Sequence, residues 1–341
     1  MSPLKRRGSV ADRMVTTGLG AILALHIVVL ATAGPLNKSV AIGEPINYST
    51  ASIVLQAISM FLPAAFAALA AARSRDFARS FWTLTSFGFA TQLAALISWH
   101  LSPPENFSWN DFIFLLHMVP FGLALLLTDR RRIGRVFNWP MLLDYLQILM
   151  LVVVLYTGFI YIPSHGATAE QIQALYGYFA SVLVSRNLIA TGGFWLRTRL
   201  GNTQRELATF RPMAIYLTIY TAGSALGHYV FLSGHPASVW LDLEGSVPGL
   251  VATGLFWRWR DVSSLAERRQ TEVRSVLALH LIPSILPVLV VALASSLART
   301  EPRLAWFAVD LSCAIFAARL LAAIYYARRT GEVLLQTESR G

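Results

Sequence analysis

Apolar and polar positions alternate along this chain on the scale of whole membrane crossings. Ten apolar runs occupy residues 14–33, 51–72, 80–100, 111–128, 140–163, 171–196, 212–233, 238–257, 275–297 and 304–326. A bilayer core takes roughly 20 apolar residues of helix per crossing. Helices satisfy their own backbone hydrogen bonds in lipid, and the runs lack the two-residue alternation of barrel strands. The pattern predicts an all-α integral membrane protein. Its ten transmembrane helices fill residues 1–326, and a basic tail follows at 327–341.

The charges between the runs predict an orientation. Of 28 Lys and Arg residues, 23 fall on one side if every run is a crossing. They sit at Lys5, Arg6, Arg7 and Arg13, at Arg73, Arg75 and Arg79, and at Arg130, Arg131, Arg132 and Arg135. Further on come Arg197, Arg199, Arg205 and Arg211, then Arg258, Arg260, Arg268, Arg269 and Arg274, then Arg328, Arg329 and Arg340. The opposite side holds only Lys38, Arg299 and Arg303, while Arg186 and Arg319 lie inside runs. Positive loops stay cytoplasmic, so both termini are expected in the cytoplasm of a bacterium, with the chain in its inner membrane.

Composition agrees with a lipid environment. Hydrophobic residues make up 55% of the chain and charged ones 13%, against roughly 25% charged in soluble domains. The formal charge of +10 does not indicate nucleic acid, because the arginines cluster at run ends, where anionic lipid attracts them. The single Cys313 excludes an intrachain disulfide. The basic segment before residue 14 precedes a run without a cleavage site, so that run reads as a first crossing. The longest outer loop, residues 34–50, is too short for a folded domain. Trp82, Trp99, Trp109, Trp139, Trp195, Trp240, Trp257, Trp259 and Trp306 all fall near run ends, the positions of an anchoring aromatic belt.

A weak internal repeat is also visible. Pro63, Pro120 and Pro248 each precede a cytoplasmic arginine by ten residues, and Arg186 and Arg319 lie in runs six and ten. A parallel four-helix repeat, runs 3–6 against 7–10, would account for both facts, and so would chance matching of apolar sequence.

Ionisable groups inside a bilayer are costly and face the bundle interior. Asp144 and Gln147 stand one turn apart on run five. With Arg186 they form either a structural pairing set or a coupling switch, and Asp144 is expected to meet polar groups of run six or run ten and not lipid. Arg319 is near enough to the cytoplasmic end to snorkel, and Asp310 needs a polar cavity or a partner on another helix. His117, His228, Trp240, Asp242, Glu244 and Asp310 share the outer half and are the candidate ligand-binding residues. His26 and His280 read as hydrogen-bonded core residues. His117 with His228 is the one pair that could ligate a haem, but lone histidines without a motif do not indicate one. No cofactor and no metal site is expected. Walker, dinucleotide-binding, zinc-protease and serine-hydrolase motifs are absent from the sequence, so no catalytic activity is expected of this chain.

Several segments carry a family resemblance. They are Leu143-Asp144-Tyr145-Leu146-Gln147-Ile148 running on to Tyr161-Ile162-Pro163-Ser164, Leu116 through Phe121, Arg186-Asn187-Leu188, Trp240-Leu241-Asp242-Leu243 through Val247-Pro248, and Ser312 through Leu321. In order and spacing these resemble the amino-terminal membrane region of bacterial, notably acidobacterial, diguanylate cyclases of the GGDEF type and histidine kinases. The resemblance covers roughly residues 110–330 and implies a sensory input module for signal transduction. Here the chain stops at Gly341, where the output domain would begin. The tail is then the stub of a signalling helix, and the output domain is either missing or was never attached.

The leading expectation is a sensory or regulatory membrane module. Its partners would be the lipid bilayer, a small ligand of undefined chemistry and a possible second copy in a homodimer. Such coupling requires different ligand affinities for two bundle states. The alternative is a secondary transporter of a small solute built from two inverted five-helix repeats, although broken helices do not recur at matching positions in the two halves. An intramembrane enzyme acting on lipid is a third class.

Overall fold

The computed structural model describes residues 4–32, 50–101, 109–127, 139–201, 203–233, 239–261 and 272–338. Side chains are not described at 4–9, 109, 141, 169, 231, 239–240, 272–284, 323 and 326–338. Among the described residues every regular element is helical. Each apolar run falls on helix. Four helical segments are long and apolar enough to cross a membrane, Val10–Thr32, Thr50–Ala72, Leu142–Ser164 and Pro302–Ala322. The other runs are either short, as at Asn110–Leu126 and Ile285–Leu297, or diluted by polar residues that the fold buries.

The chain divides into two compact units. The first comprises Met1–Arg130 and Gly166–Gln270, the second Arg131–His165 and Thr271–Gly341. Unit 1 contains α1 (Leu4–Thr32), α2 (Thr50–Ala72), α3 (Asp76–Leu101), α4 (Trp109–Leu116), α5 (Met118–Leu126), α8 (Ala169–Leu200), α9 (Gln204–Leu232) and α10 (Leu243–Arg258). Unit 2 contains α6 (Trp139–Tyr156), a π-helical segment (Thr157–Tyr161), α7 (Ile162–Ser164), α11 (Glu272–Leu297) and α12 (Pro302–Glu338).

Local chemistry sets several of these ends. Thr168 and Gln171 form a reciprocal capping box at the start of α8. Thr203 accepts from the Glu206 amide at the start of α9. The run at 111–128 is broken where α4 gives way to α5 at His117. Pro120 explains the break: it has no N–H for the Leu116 carbonyl four residues back.

Unit 1 is built on α2, which packs along α3 and α10, while α8 packs along α9 and α9 along α10. Small residues let α2 and α10 approach closely, as in other membrane helix pairs. A Cβ on Gly249 would collide with the Ser59 carbonyl. The core is aromatic. Trp82 meets Phe256 edge-on with centroids 4.8 Å apart and Trp259 at 5.2 Å. Phe81 meets Phe210 at 5.2 Å, and Phe89 meets Tyr216 at 4.8 Å. Unit 2 has an aliphatic and small-residue core of Met150, Val154, Val290, Ala294, Leu297, Ala305, Ala308 and Ile315.

Two sequence expectations need correction. Trp82 is 0% exposed and Trp259 is 9% exposed, so these tryptophans are core residues of unit 1 and not lipid anchors. Trp139 and Trp306, exposed at 63% and 66%, keep positions suited to anchoring. Likewise Arg197 and Arg205 are not simply lipid-facing topology charges. Arg197 donates to the Leu127 carbonyl at 2.5 Å, stands 3.6 Å from Glu206 and stacks over Phe210. Arg205 pairs with Asp261 at 2.8 Å and donates to the Arg75 carbonyl. The anionic partners Glu206 and Asp261 were invisible as such in the sequence.

Candidate functional site

Three polar assemblies lie in the described interior. The first, in unit 1, joins α1, α2 and α10. His26 is fully buried, its Nε2 2.9 Å from Ser52 Oγ and its Nδ1 2.8 Å from Ser246 Oγ. Ser52 Oγ donates to Asp242 Oδ2 at 2.5 Å, and the Gln56 side chain also hydrogen-bonds Asp242. Asp242 closes a 3₁₀ turn, Val239–Asp242, that leads into α10. Two residues beyond it, Glu244 lies against Gly223 and Gly227 of α9, where an added Cβ would crowd its side chain, most closely at Gly227.

The second assembly surrounds the α4–α5 break. Arg186 Nη1 donates to the carbonyls of Phe114 and Leu115 at 3.3 and 3.4 Å. Its Nε and Nη2 donate to Asn187 Oδ1 at 3.2 and 2.9 Å, and it hydrogen-bonds Tyr220. The C-terminal end of a helix is the favourable end for a cation, so Arg186 caps α4. His117 is fully buried and its Nδ1 bonds the same Phe114 carbonyl, while its Nε2 has no partner. A carbonyl only accepts, so Nδ1 carries the proton and Nε2 presents a lone pair. Polar pairs then extend along α8 and α9. Asn187 donates to Ser224 at 3.4 Å, Thr191 and Thr221 are 2.8 Å apart, and Trp195 donates to Thr218 at 2.9 Å.

The third assembly belongs to unit 2. Arg319 Nε of α12 pairs with Asp144 Oδ1 of α6, and Gln147 Nε2 of α6 donates to Ser312 Oγ of α12. All four residues are buried. Two turns of α6 and two of α12 are thereby joined by one charged and one neutral bond. Arg319 therefore does not snorkel to an interface. The sequence grouped Asp144 with Arg186 and expected its partners on run six or run ten; the ion pair runs to Arg319 of run ten. Arg186 and Arg319 also differ in surroundings, carbonyls, an amide and a phenol for the one and a carboxylate for the other, so the two arginines do not share a role.

The candidate ligand residues distribute as follows. His117, His228, Asp242 and Glu244 all belong to unit 1. Within it Asp242 joins the His26 assembly and His117 joins the Arg186 assembly, while His228 lies half-buried on α9. Asp310 is exposed on α12 in unit 2. Trp240 lies in the 3₁₀ turn, and its side chain, like that of His280, is outside the described residues. The sequence did not single out Ser52, Gln56, Ser246, Tyr216 or Tyr220. Spacing held the available signal: Ser52, Gln56 and Ser59 recur on one face of α2, Gly245 and Gly249 on one face of α10, and Asn187, Thr191 and Trp195 every four residues on α8.

The geometry defines a helical protein whose interior polar groups join helices two and three at a time. Comparison with known protein families, curated proteins and solved structures finds no match.

Proposed function

We propose that this chain is a multi-pass sensory or regulatory module of a bacterial inner membrane, with ten crossings and both termini cytoplasmic, that passes its state into the cytoplasm through α12. The observation that carries this reading is the continuity of α12. It runs unbroken for 37 residues, Pro302–Glu338, roughly 55 Å at 1.5 Å per residue, against a hydrocarbon core of about 30 Å. Its apolar part is held to α6 by the Arg319–Asp144 and Gln147–Ser312 bonds, and its basic part continues the same helix. A shift at the clamp therefore reaches the far end of a rigid rod.

Joining a diguanylate cyclase domain in helical register after Glu338 of the full chain tests this. Cyclase output should change several-fold on Asp144→Asn and on Arg319→Gln. Equal output from wild type and both variants would defeat the proposal. The topology has its own test. Reporter fusions at residues 42, 165 and 235 should report periplasm, and those at 133 and 265 cytoplasm; one exchanged result removes the ten-crossing arrangement.

A further inference from the structure

The assembly of α1, α2 and α10 has a definite hydrogen-bond direction, which follows from its acid end. Ser52 donates its one proton to Asp242, so toward His26 its oxygen can only accept. His26 Nε2 therefore carries a proton, and Nδ1 of the neutral ring accepts from Ser246. The chain runs Ser246 O–H to His26 Nδ1, His26 Nε2–H to Ser52, and Ser52 O–H to Asp242. His26, Ser52 and Ser246 are each at most 1% exposed, while Asp242 is only half-buried. One end is thus sealed and the other reachable.

The charges around it are unbalanced. On α2 the facing groups are Ser52 and Gln56, neither ionisable, and on α1 the facing group is His26. On α10 Glu244 is a second carboxylate, and from α9 Tyr220 acts on Glu244 electrostatically. Arg186 of α8 is committed to Tyr220, Asn187 and two carbonyls. Among the described residues no cation pairs with Asp242 or Glu244. A carboxylate in lipid without a cation is stabilised most simply by a proton.

We propose that Asp242, Ser52, His26 and Ser246 form a proton-binding relay, with the proton itself as the ligand of this site. Uptake of one proton turns the chain round: Asp242 O–H then donates to Ser52, Ser52 O–H to His26 Nε2, and His26 Nδ1–H to Ser246. Four protons then occupy the four groups where three did before, every group is neutral, and each bond points the other way. The state of the carboxyl is therefore written into the tautomer of His26, a residue of a different helix. This assignment does not depend on the sensory reading, since a relay would serve transport as well.

The test is infrared difference spectroscopy of the full chain in liposomes, between neutral and acid pH. Wild type should show a protonated-carboxyl band together with a change in imidazole ring bands. Asp242→Asn should remove the imidazole change and the part of the carboxyl band that Glu244→Gln leaves. His26→Gln should remove the imidazole change and leave the carboxyl band, and Glu244→Gln should leave both. Ser52→Ala, a smaller perturbation of the fold, should uncouple the two signals. An imidazole change that persists in Asp242→Asn, or that follows the carboxyl unchanged in Ser52→Ala, would overturn the relay.

Discussion

Units 1 and 2 solve the same problem, polar side chains inside an apolar interior, with different weights. In unit 1 the joins are numerous and many are neutral, serine to histidine, threonine to threonine and asparagine to serine, beside the contacts of Arg186 with carbonyls and the ion pairs Arg197–Glu206 and Arg205–Asp261. Their surroundings are large aromatic rings. In unit 2 the main join between α6 and α12 is one ion pair with one amide–hydroxyl bond beside it, set among aliphatic and small residues. A network of neutral bonds loses little when one member goes, because others remain. A lone ion pair loses a great deal, because the partner is left charged and desolvated. The contrast suits a held clamp in unit 2 and a graded, adjustable set of contacts in unit 1.

The largest expected effect tests the clamp. Arg319→Ala should destabilise unit 2 by roughly 3–5 kcal/mol, the cost of breaking a buried ion pair by removing its cation. Adding Asp144→Ala should recover part of that loss. Thermal unfolding of the two single variants and the double variant in detergent measures the coupling, and strict additivity would abolish the contrast drawn above.

The tryptophans sharpen the aromatic side of the comparison. Trp82→Ala should cost roughly 3–5 kcal/mol, as for other large core deletions, while Trp306→Ala in unit 2 should stay within about 0.5 kcal/mol. Equal melting shifts for the two would mean that Trp82 is an anchor after all.

Next in size is Gly249→Leu, which must push α10 away from the Ser59 carbonyl of α2. Overpacking of this kind costs roughly 1–3 kcal/mol. Because the α2–α10 approach also aligns Ser52 with His26 and Asp242, the variant should weaken the infrared coupling described above. An unchanged infrared response would separate helix packing from the relay.

The smallest effect belongs to the neutral bonds. Thr191→Ala removes the 2.8 Å contact with Thr221, and interhelical hydrogen bonds in membranes average about 0.6 kcal/mol. A loss as large as that of Arg319→Ala would show that unit 1 is no more tolerant than unit 2.

Much of the architecture was legible in the order of residues. Helix is the one chain-local way to satisfy backbone groups in lipid, so among the described residues the apolar runs fall on helix, while the extension of α12 to Glu338 lies beyond its run. Taken as one crossing, the run at 111–128 hid the break beside His117, although Pro120 carried the signal, because a missing N–H acts within four residues. Asp144, Gln147, Arg186, Arg319, Asp242 and His117 stood out because a charged or titratable group in an apolar run is rare and costly wherever it ends up. These properties belong to a residue and its near neighbours, and the sequence expresses them directly.

Pairing is different, and it was decided by tertiary structure. Asp144 and Arg319 are 175 positions apart and Ser246 and His26 are 220 apart, distances over which sequence spacing carries no geometry. Which of two buried arginines meets a given carboxylate depends on which helices lie side by side, and the apolar faces of these helices are too alike to specify that. For the same reason Trp82 and Trp306 look equivalent at the ends of their runs. Only the packing of α2, α3 and α10 puts one in the core and leaves the other on the surface. Ser52 and Ser246 carried no charge to mark them, and they acquired a role only when the glycine-lined approach of α10 to α2 placed them on either side of His26.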